Sequence, residues 1–447
     1  MRPRTREALA LLPSALLITA GFTAIFLKRS DFVGNTSLII GGVFLGLCLA
    51  AHLVIRFTAP NADPFIFPLV ALLACLGLVE LYRIDESFAR SQALWFVIGL
   101  GLFSVTMIAL RDYHQLERYR YTIALGAIVL LMLPRFPVIG QATNGAYLSI
   151  KVGPMSFQAA EFAKLGIVIF LASYLRDTRQ VLIHGGRKVL GVAMPPLRYL
   201  GPLLAIWGSA MLLLIFIRDL GSSLMFFGAF LALIYVATGK LRFPLLGLGA
   251  FAAGAYAVGS RVGHVQDRVA AWRTPLDPIL FGSADVSPRP PEYGTSYQLA
   301  QSLFAQADGG LFGRGLGQAE LGTTISDGGT VSTPLLPASQ TDMIYALITN
   351  ELGLLGAAAI LLAYLLIIHR GFRVAILARD PFSKLLATGL TAVFALQVFV
   401  IVGGVTKVIP LTGVTLPFIS YGGSSVLANF VLLALLLRVS EDARRPA

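Results

Sequence analysis

The apolar run FQAAEFAKLGIVIF places Glu161 and Lys164 three residues apart. A charge inside a bilayer is costly unless it is paired or faces a wet cavity. At i, i+3 on a helix the two side chains share a face and pair. Such a pair is either a self-neutralising structural element or the wall of a polar cavity for a charged substrate. More acids stand at the mouths of other apolar runs. Asp219 in RDLGSSL and Asp342 in SQTDMIYAL each precede a run that reads as a helix. Each can cap it by accepting from the first free N–H groups. Glu351 in TNELGLLG falls nine residues after Asp342, about 13 Å deeper along a helix. It is a buried acid, either hydrogen-bonded structurally or lining a cavity. RVAAWRTPLDPILF, residues 268–281, carries a single carboxylate, Asp277, ahead of a proline. Its bland reading is an Asp-Pro turn.

The elements that position these groups follow from composition. The chain has 447 residues, is 56% hydrophobic and only 13% charged, with mean hydropathy +0.77. Soluble domains carry roughly 25% charged residues, so this is an all-α integral membrane protein. About twelve runs are long enough to span, at about 20 apolar residues each. They centre near residues 18, 48, 73, 101, 128, 168, 208, 229, 252, 355, 393 and 426. The fifth is short and ends in LPRFP, so it is tilted or bent. The first has a basic start but no small-residue cleavage site, and reads as a retained helix.

Lys and Arg in the loops set the orientation. With the N-terminus inside, RDYHQLERYR, RDTRQ with GGRK, and HRGFRVAILARDPFSK fall on the cytoplasmic side. The short outer loops hold only Lys28, Arg29, Arg83, Arg90, Arg135, Lys151, Arg218 and Lys407. Both termini are then cytoplasmic, and segment 262–340 is one long extracytoplasmic loop. Its aromatics Trp272, Tyr293, Tyr297, Phe304 and Phe312 argue for packing against the bundle, while SPRPPEYGTS and SDGGTVSTP read as mobile. The stretch KVIPLTGVTLPFISYGGSS, 407–425, holds two prolines and three glycines. An irregular backbone there must be covered by protein or line a wet cavity. Ser420, Tyr421, Ser424 and Ser425 can satisfy it; a plain helix-entry turn is the alternative.

Several function classes drop out. The net charge of +12 fits cytoplasmic loops of a membrane protein and not nucleic-acid binding. The two cysteines, Cys48 and Cys75, lie in apolar runs and support neither a disulfide framework nor a metal site. Five scattered histidines show no ligand spacing, and no Walker loop or G-x-S-x-G occurs. GRGLGQ contains G-x-G-x-G, but no strand–helix context supports nucleotide binding.

Five stretches taken together resemble one family. They are TNGAYLSIKVGPMSFQAAEFAKL (143–165), RDLGSSL (218–224), YGTSYQLAQSLFAQADGGLFGRGLGQ (293–318), LPASQTDMIYALITNELGLLG (336–356) and IPLTGVTLPFISYGGSS (409–425). In this order they resemble the SEDS family, the RodA, FtsW and SpoVE proteins of bacterial cell-wall synthesis. The resemblance runs from about Pro64 to Arg438. It implies a ten-helix core over 64–438, a two-helix extension over 1–60 and a cytoplasmic tail over 439–447. Departures mark a divergent member: Tyr147 and Ser149 stand where Arg and Trp are common, and QAAE, RDLG, Gln340 and NELG replace the usual residues.

The resemblance implies a peptidoglycan glycosyltransferase of the bacterial cytoplasmic membrane, serving elongation or division. Its substrate would be lipid II, a disaccharide-pentapeptide on undecaprenyl diphosphate. Such chemistry needs a carboxylate base for the attacking sugar hydroxyl. It also needs cations at the leaving diphosphate, either Arg and Lys or a divalent magnesium or manganese ion. The family carries its catalytic acid in the outer loop. Arg268 and Val269 match the start of that motif and Asp277-Pro278 its end, one residue short. Asp285 is the alternative if the gap falls earlier. Arg268, Arg273, Arg314 and Lys407 are the implied diphosphate contacts. Glu161, Lys164, Asp219, Asp342, Glu351, Ser420 and Tyr421 would line or brace the cavity. The implied partner is a class B penicillin-binding protein docking on the outer loop. The rival readings are a lipid II transporter and a non-catalytic scaffold that activates the partner.

Overall fold

The computed structural model describes residues 3–28, 36–136, 139–143, 146–152, 155–184, 187–189, 192–194, 219–259, 263–273, 294–319, 322–326, 330–334 and 336–446, with 201–202, 204–205 and 208. The chain opens with α1 (Pro3–Ala10), α2 (Leu12–Lys28), α3 (Thr36–Thr58) and α4 (Ile66–Ile84). α5 (Glu86–Ala109) follows after one residue, Asp85. Its extended backbone ends one helix, and its carboxylate accepts from Ser87 N at 2.7 Å to start the next. α6 (Gln115–Arg118) and α7 (Arg120–Met132) lead to a 3-10 turn at Leu133–Arg135. A short antiparallel sheet follows, β1 (Gly140–Thr143), β2 (Ala146–Val152) and β3 (Met155–Phe157), before α8 (Ala159–His184).

A hairpin of β4 (Arg187–Val189) and β5 (Val192–Met194) comes next, then α9 (Leu220–Thr238) and α10 (Arg242–Gly259). The segment expected to be one long loop contains α11 (Gly263–Arg273), α12 (Gly294–Gly309) and a hairpin of β6 (Gly322–Ser326) and β7 (Thr330–Pro334). Residues 330–334 of the SDGGTVSTP stretch form one strand of this hairpin. Thr330 to Thr333 pair with Thr323 to Ser326 in register, as β-branched runs around a turn signal do. The chain closes with α13 (Ile344–Leu377), α14 (Pro381–Val405) and α15 (Gly423–Arg444).

Among the described residues, eight helices are long and apolar enough to cross a membrane. Four more spans were expected. The one near 128 is the 13-residue α7, ended by Pro134. The one near 168 is the 26-residue α8, which carries Glu161, Lys164, Arg176, Asp177 and Arg179. The one near 252 is the 18-residue α10, diluted by glycine and tyrosine. The region near 208 lies largely outside the described residues.

The core sits where α4, α5, α13, α14 and α15 meet. α15 is buried along nearly its whole length against α5 and α8. Phe103, Phe430 and Phe418 interlock there, with ring centroids 5.2 to 6.3 Å apart. Gly77 on α4 touches the backbone of Phe418 and Ile419, where any Cβ would come within 2.8 Å. This contact seats the irregular 407–422 segment against the bundle.

α13 is not one straight helix. Gly353 breaks it at φ +71, ψ −176. The glycine-rich turn after α12 fills the break. Arg314 N and Gly315 N donate to the carbonyls of Asn350 and Glu351, and Leu354 N donates to Gly310 O, each at 2.9 Å. Freed backbone groups at a break must find partners in an apolar setting. A Cβ at Gly353 would lie 2.3 Å from Gly313 N, so only glycine fits. The G-x-G-x-G run therefore splices a broken helix. The N-terminal helices dock as a layer: α2 packs on α3 and α4. Buried Glu7 joins them at one end, bonded by Arg4 and 3.0 Å from His52 Nδ1.

Candidate active site

α8 starts at the irregular segment. Gln158 N donates to Ser424 Oγ at 2.9 Å, fixing the first turn of α8 against α15. Glu161 and Lys164 then project together, as their spacing requires, and are 5% and 1% exposed. Lys164 Nζ donates to Glu161 Oε2 at 2.6 Å and to Gln397 Oε1 at 2.7 Å. Gln397, on α14, donates through Nε2 to Thr415 O at 2.9 Å and reaches Ser425 Oγ at 3.4 Å. One buried ammonium thus ties α8, α14 and the 409–425 segment.

A second charged group stands beside it. α11 is pinned to the same irregular segment by two donors. Arg268 Nη1 donates to Leu411 O at 2.7 Å, and Trp272 Nε1 to Lys407 O at 2.9 Å. Gly413, at φ +75, leaves room between two charges. A Cβ there would lie 3.3 Å from Arg268 Nη2 and 3.7 Å from Asp342 Oδ2. Asp219 caps α9, accepting from Ser222 N at 2.9 Å. Its charge interacts with Arg268 and with Glu161, so the two groups adjoin.

The electrostatics follow from burial. Burial pushes the Asp342 carboxyl up to about 6, against the opposing pull of Arg268 and Thr341. Burial also raises Asp219, against bonds from Ser222 and the charge of Arg268, with Glu161 adding to the rise. Arg268 is lowered from the usual guanidinium value by burial, with Asp342 and Asp219 opposing. Asp219 thus links two charged groups, Glu161 with Lys164 and Arg268 with Asp342.

The fold gathers Glu161, Lys164, Asp219, Arg268 and Asp342. It does not engage the other expected residues in the same set. Glu351 is fully buried and accepts from Arg83 Nε and Gly317 N at 2.6 Å, and from Ala319 N at 3.3 Å. Arg314 pairs with Asp308 on the rim of a cavity of about 540 Å³ between α12 and α13. Arg273 is exposed at the end of α11. Lys407 sits at φ +61 and offers its carbonyl to Trp272.

Ser420 Oγ donates to Thr341 O and accepts from Leu416 N, both at 2.8 Å, and Tyr421 N donates to Gln340 O at 2.8 Å. These two serve the backbone, as the irregular stretch predicted, and Phe418 within it takes φ +66. Asp277 and Asp285 lie outside the described residues. Arg268, however, lies nine residues before Asp277 on the helix that leads into that segment.

Two polar residues that organise this region escaped the sequence reading. Gln397 is one, an isolated amide in the apolar run TAVFALQVFVIV. Polarity at membrane depth was the signal that could have found it. Gln92 on α5 is the other. It donates to Ser420 O and accepts from Gly422 N, at 3.1 and 3.2 Å, and so clamps the SYGG turn. Among the described residues no group of three or more His, Cys, Asp or Glu side chains could hold a metal ion.

Comparison with known proteins gives a consistent answer. The cell cycle protein family that groups FtsW, RodA and SpoVE matches residues 15–445. The peptidoglycan glycosyltransferase RodA of Mycobacterium tuberculosis is 40% identical, over 99% of this chain and 92% of its own length. Stage V sporulation protein E of Bacillus subtilis is 30% identical, over 86% of this chain and 98% of its own length. Among solved structures, a chain of a peptidoglycan synthase complex that coordinates polymerization and crosslinking matches with TM-score 0.64 and 26% identity. That match covers 86% of this chain and 99% of the other.

Proposed function

The chain belongs to the FtsW, RodA and SpoVE family of cell cycle proteins, and from that premise we propose that it is a multi-pass membrane peptidoglycan glycosyltransferase polymerising lipid II. The donor is the growing glycan, held through the reducing-end MurNAc to a lipid diphosphate. The acceptor is the 4-hydroxyl of the GlcNAc of an incoming lipid II. Asp277 takes the hydroxyl proton, with Asp285 as the alternative base. The acceptor oxygen bonds to the MurNAc anomeric carbon from the face opposite the leaving group. The bond from that carbon to the diphosphate breaks, and its electron pair departs with the lipid diphosphate. Configuration inverts.

The observation that carries this reading is that two cations are tied to one irregular segment, Lys164 through Gln397 and Thr415 and Arg268 through Leu411, with Arg268 on the helix that precedes Asp277 in the chain. These two cations neutralise the charge that grows on the diphosphate in the transition state. Glu161 bonds the first of these cations, and Asp219 and Asp342 lie against the second. A magnesium or manganese ion would add charge neutralisation at the diphosphate, although among the described residues no cluster of His, Cys, Asp or Glu could hold one.

The site opens at the outer membrane face, with both chain termini cytoplasmic, where lipid-linked sugars are polymerised. A class B penicillin-binding protein is the proposed partner, and the match to a chain of a peptidoglycan synthase complex supports it.

The test is purified wild-type protein with labelled lipid II and that partner. Wild type should yield glycan polymer, Asp277→Asn none, and Asp285→Asn normal amounts. Polymer surviving Asp277→Asn overturns the base assignment. Transbilayer movement of lipid II without polymer would indicate a transporter. Full complementation of a deletion by Asp277→Asn would indicate a scaffold.

A further inference from the structure

We propose that Gln397 is a positioning residue for glycosyl transfer, acting through Lys164. The inference rests on the glycosyltransferase reading above and extends it to a residue on α14. Gln397 is wholly buried and bridges two unlike partners. Its Oε1 accepts from Lys164 Nζ at 2.7 Å, while its Nε2 donates to Thr415 O at 2.9 Å. Chemistry fixes this orientation. A flipped amide would set two donors against an ammonium and an acceptor against a carbonyl.

No other side chain of this length does both jobs. Glutamate keeps the acceptor for Lys164 but loses the donor for Thr415. Methionine loses both. Asparagine has both groups but is one methylene too short to span the two partners.

The bridge has a mechanical consequence. Glu161 lies on the same helix as Lys164 and moves with it, so their bond alone cannot aim the ammonium at anything outside α8. Gln397 belongs to a different helix and is tied to the 409–425 segment. It therefore holds Lys164 at a fixed distance from the segment that also anchors Arg268 through Leu411. An ammonium has three donors. Glu161 and Gln397 engage two of them among the described residues. The third is assigned to an oxygen of the leaving diphosphate. A cation held in advance at the point where charge develops lowers the barrier, because little reorganises during the reaction.

The test compares Gln397→Met, Gln397→Glu and Gln397→Asn with wild type, purified with the partner and assayed on labelled lipid II. Gln397→Met should lower kcat at least about ten-fold with little change in KM, the pattern of an interaction made chiefly in the transition state. Gln397→Asn should fall with it. Gln397→Glu, which still holds Lys164, should stay within about three-fold of wild type.

A role limited to bracing Thr415 predicts equal losses for Met and Glu, and that result overturns the proposal. So does wild-type activity in all three variants. Thermal melting separates folding failure from lost aim. If Gln397→Met does not fold, the Asn and Glu pair decides. Wild-type protein that makes no polymer would instead overturn the underlying glycosyltransferase reading, and this inference with it.

Discussion

Two buried ion pairs, Arg83–Glu351 and Lys164–Glu161, differ in what holds them. Glu351 accepts from a guanidinium and from the backbone N–H groups of Gly317 and Ala319. Its partners include the loop that splices the break in α13, so the pair is committed to backbone. Lys164 is shared between a carboxylate on its own helix and an amide on another. Asp219, from a further segment, interacts with both Glu161 and Arg268. A charge saturated by backbone holds a fold together. A charge held only by side chains can be aimed at a ligand, because its partners leave capacity unspent.

The sharpest way to break this comparison is Glu351→Ala. Removing one partner of a buried ion pair costs about 3–5 kcal/mol. The expected outcome is a large fall in Tm in detergent, with turnover per folded molecule little changed. A collapse of turnover at unchanged Tm would erase the distinction between brace and site.

A smaller effect concerns Glu80, one turn below Arg83 on α4. It is 1% exposed, and neither carboxyl oxygen has a hydrogen-bond partner among the described residues. An unmet buried polar group costs about 1–3 kcal/mol. Glu80→Met should therefore raise Tm without touching activity. A drop in Tm would mean that the carboxyl contributes to the brace after all.

The smallest effect is a pH dependence in the other cluster. Burial lifts Asp342 to about 6, so its charge, the counter-charge of Arg268, exists only above that value. Polymerisation should decline several-fold as pH falls through about 6, and Asp342→Asn should remove that limb of the profile. The sign for stability is opposite. An acid raised in the folded state contributes stability below its unfolded value, and that contribution is lost as pH rises through about 6. A pH profile identical in wild type and Asp342→Asn would remove Asp342 from the site.

Much of this was legible in the chain. The Glu161–Lys164 pair follows from i, i+3 spacing alone. The cap at Asp219 follows from an acid ahead of an apolar run, whereas Asp342, read the same way, makes no cap, since the N-cap of α13 is Met343, with no side-chain bond. The irregular 407–425 stretch follows from its prolines and glycines. Other features were not. Asp342 and Glu351 both read as cavity acids, yet one faces Arg268 and the other is bound into a helix splice. The residues that separate them, Arg83 and Gly413, lie 259 and 71 positions from Asp342. The G-x-G-x-G run read as an unexplained glycine cluster until Gly353 was seen to break α13 against it.

By itself the sequence determined the solvent and the local geometry. Hydropathy made this an all-α membrane protein. Helical periodicity paired charges three residues apart, and glycine and proline marked where helices stop. These properties depend on neighbours within a few positions, so a linear reading reaches them. Only the tertiary structure decided which charge meets which. Gln397 meets Lys164 across 233 residues, and Arg268 meets Leu411 across 143. Such contacts are set by how helices pack, and the energy of a buried charge depends on what the packing brings within about 4 Å of it.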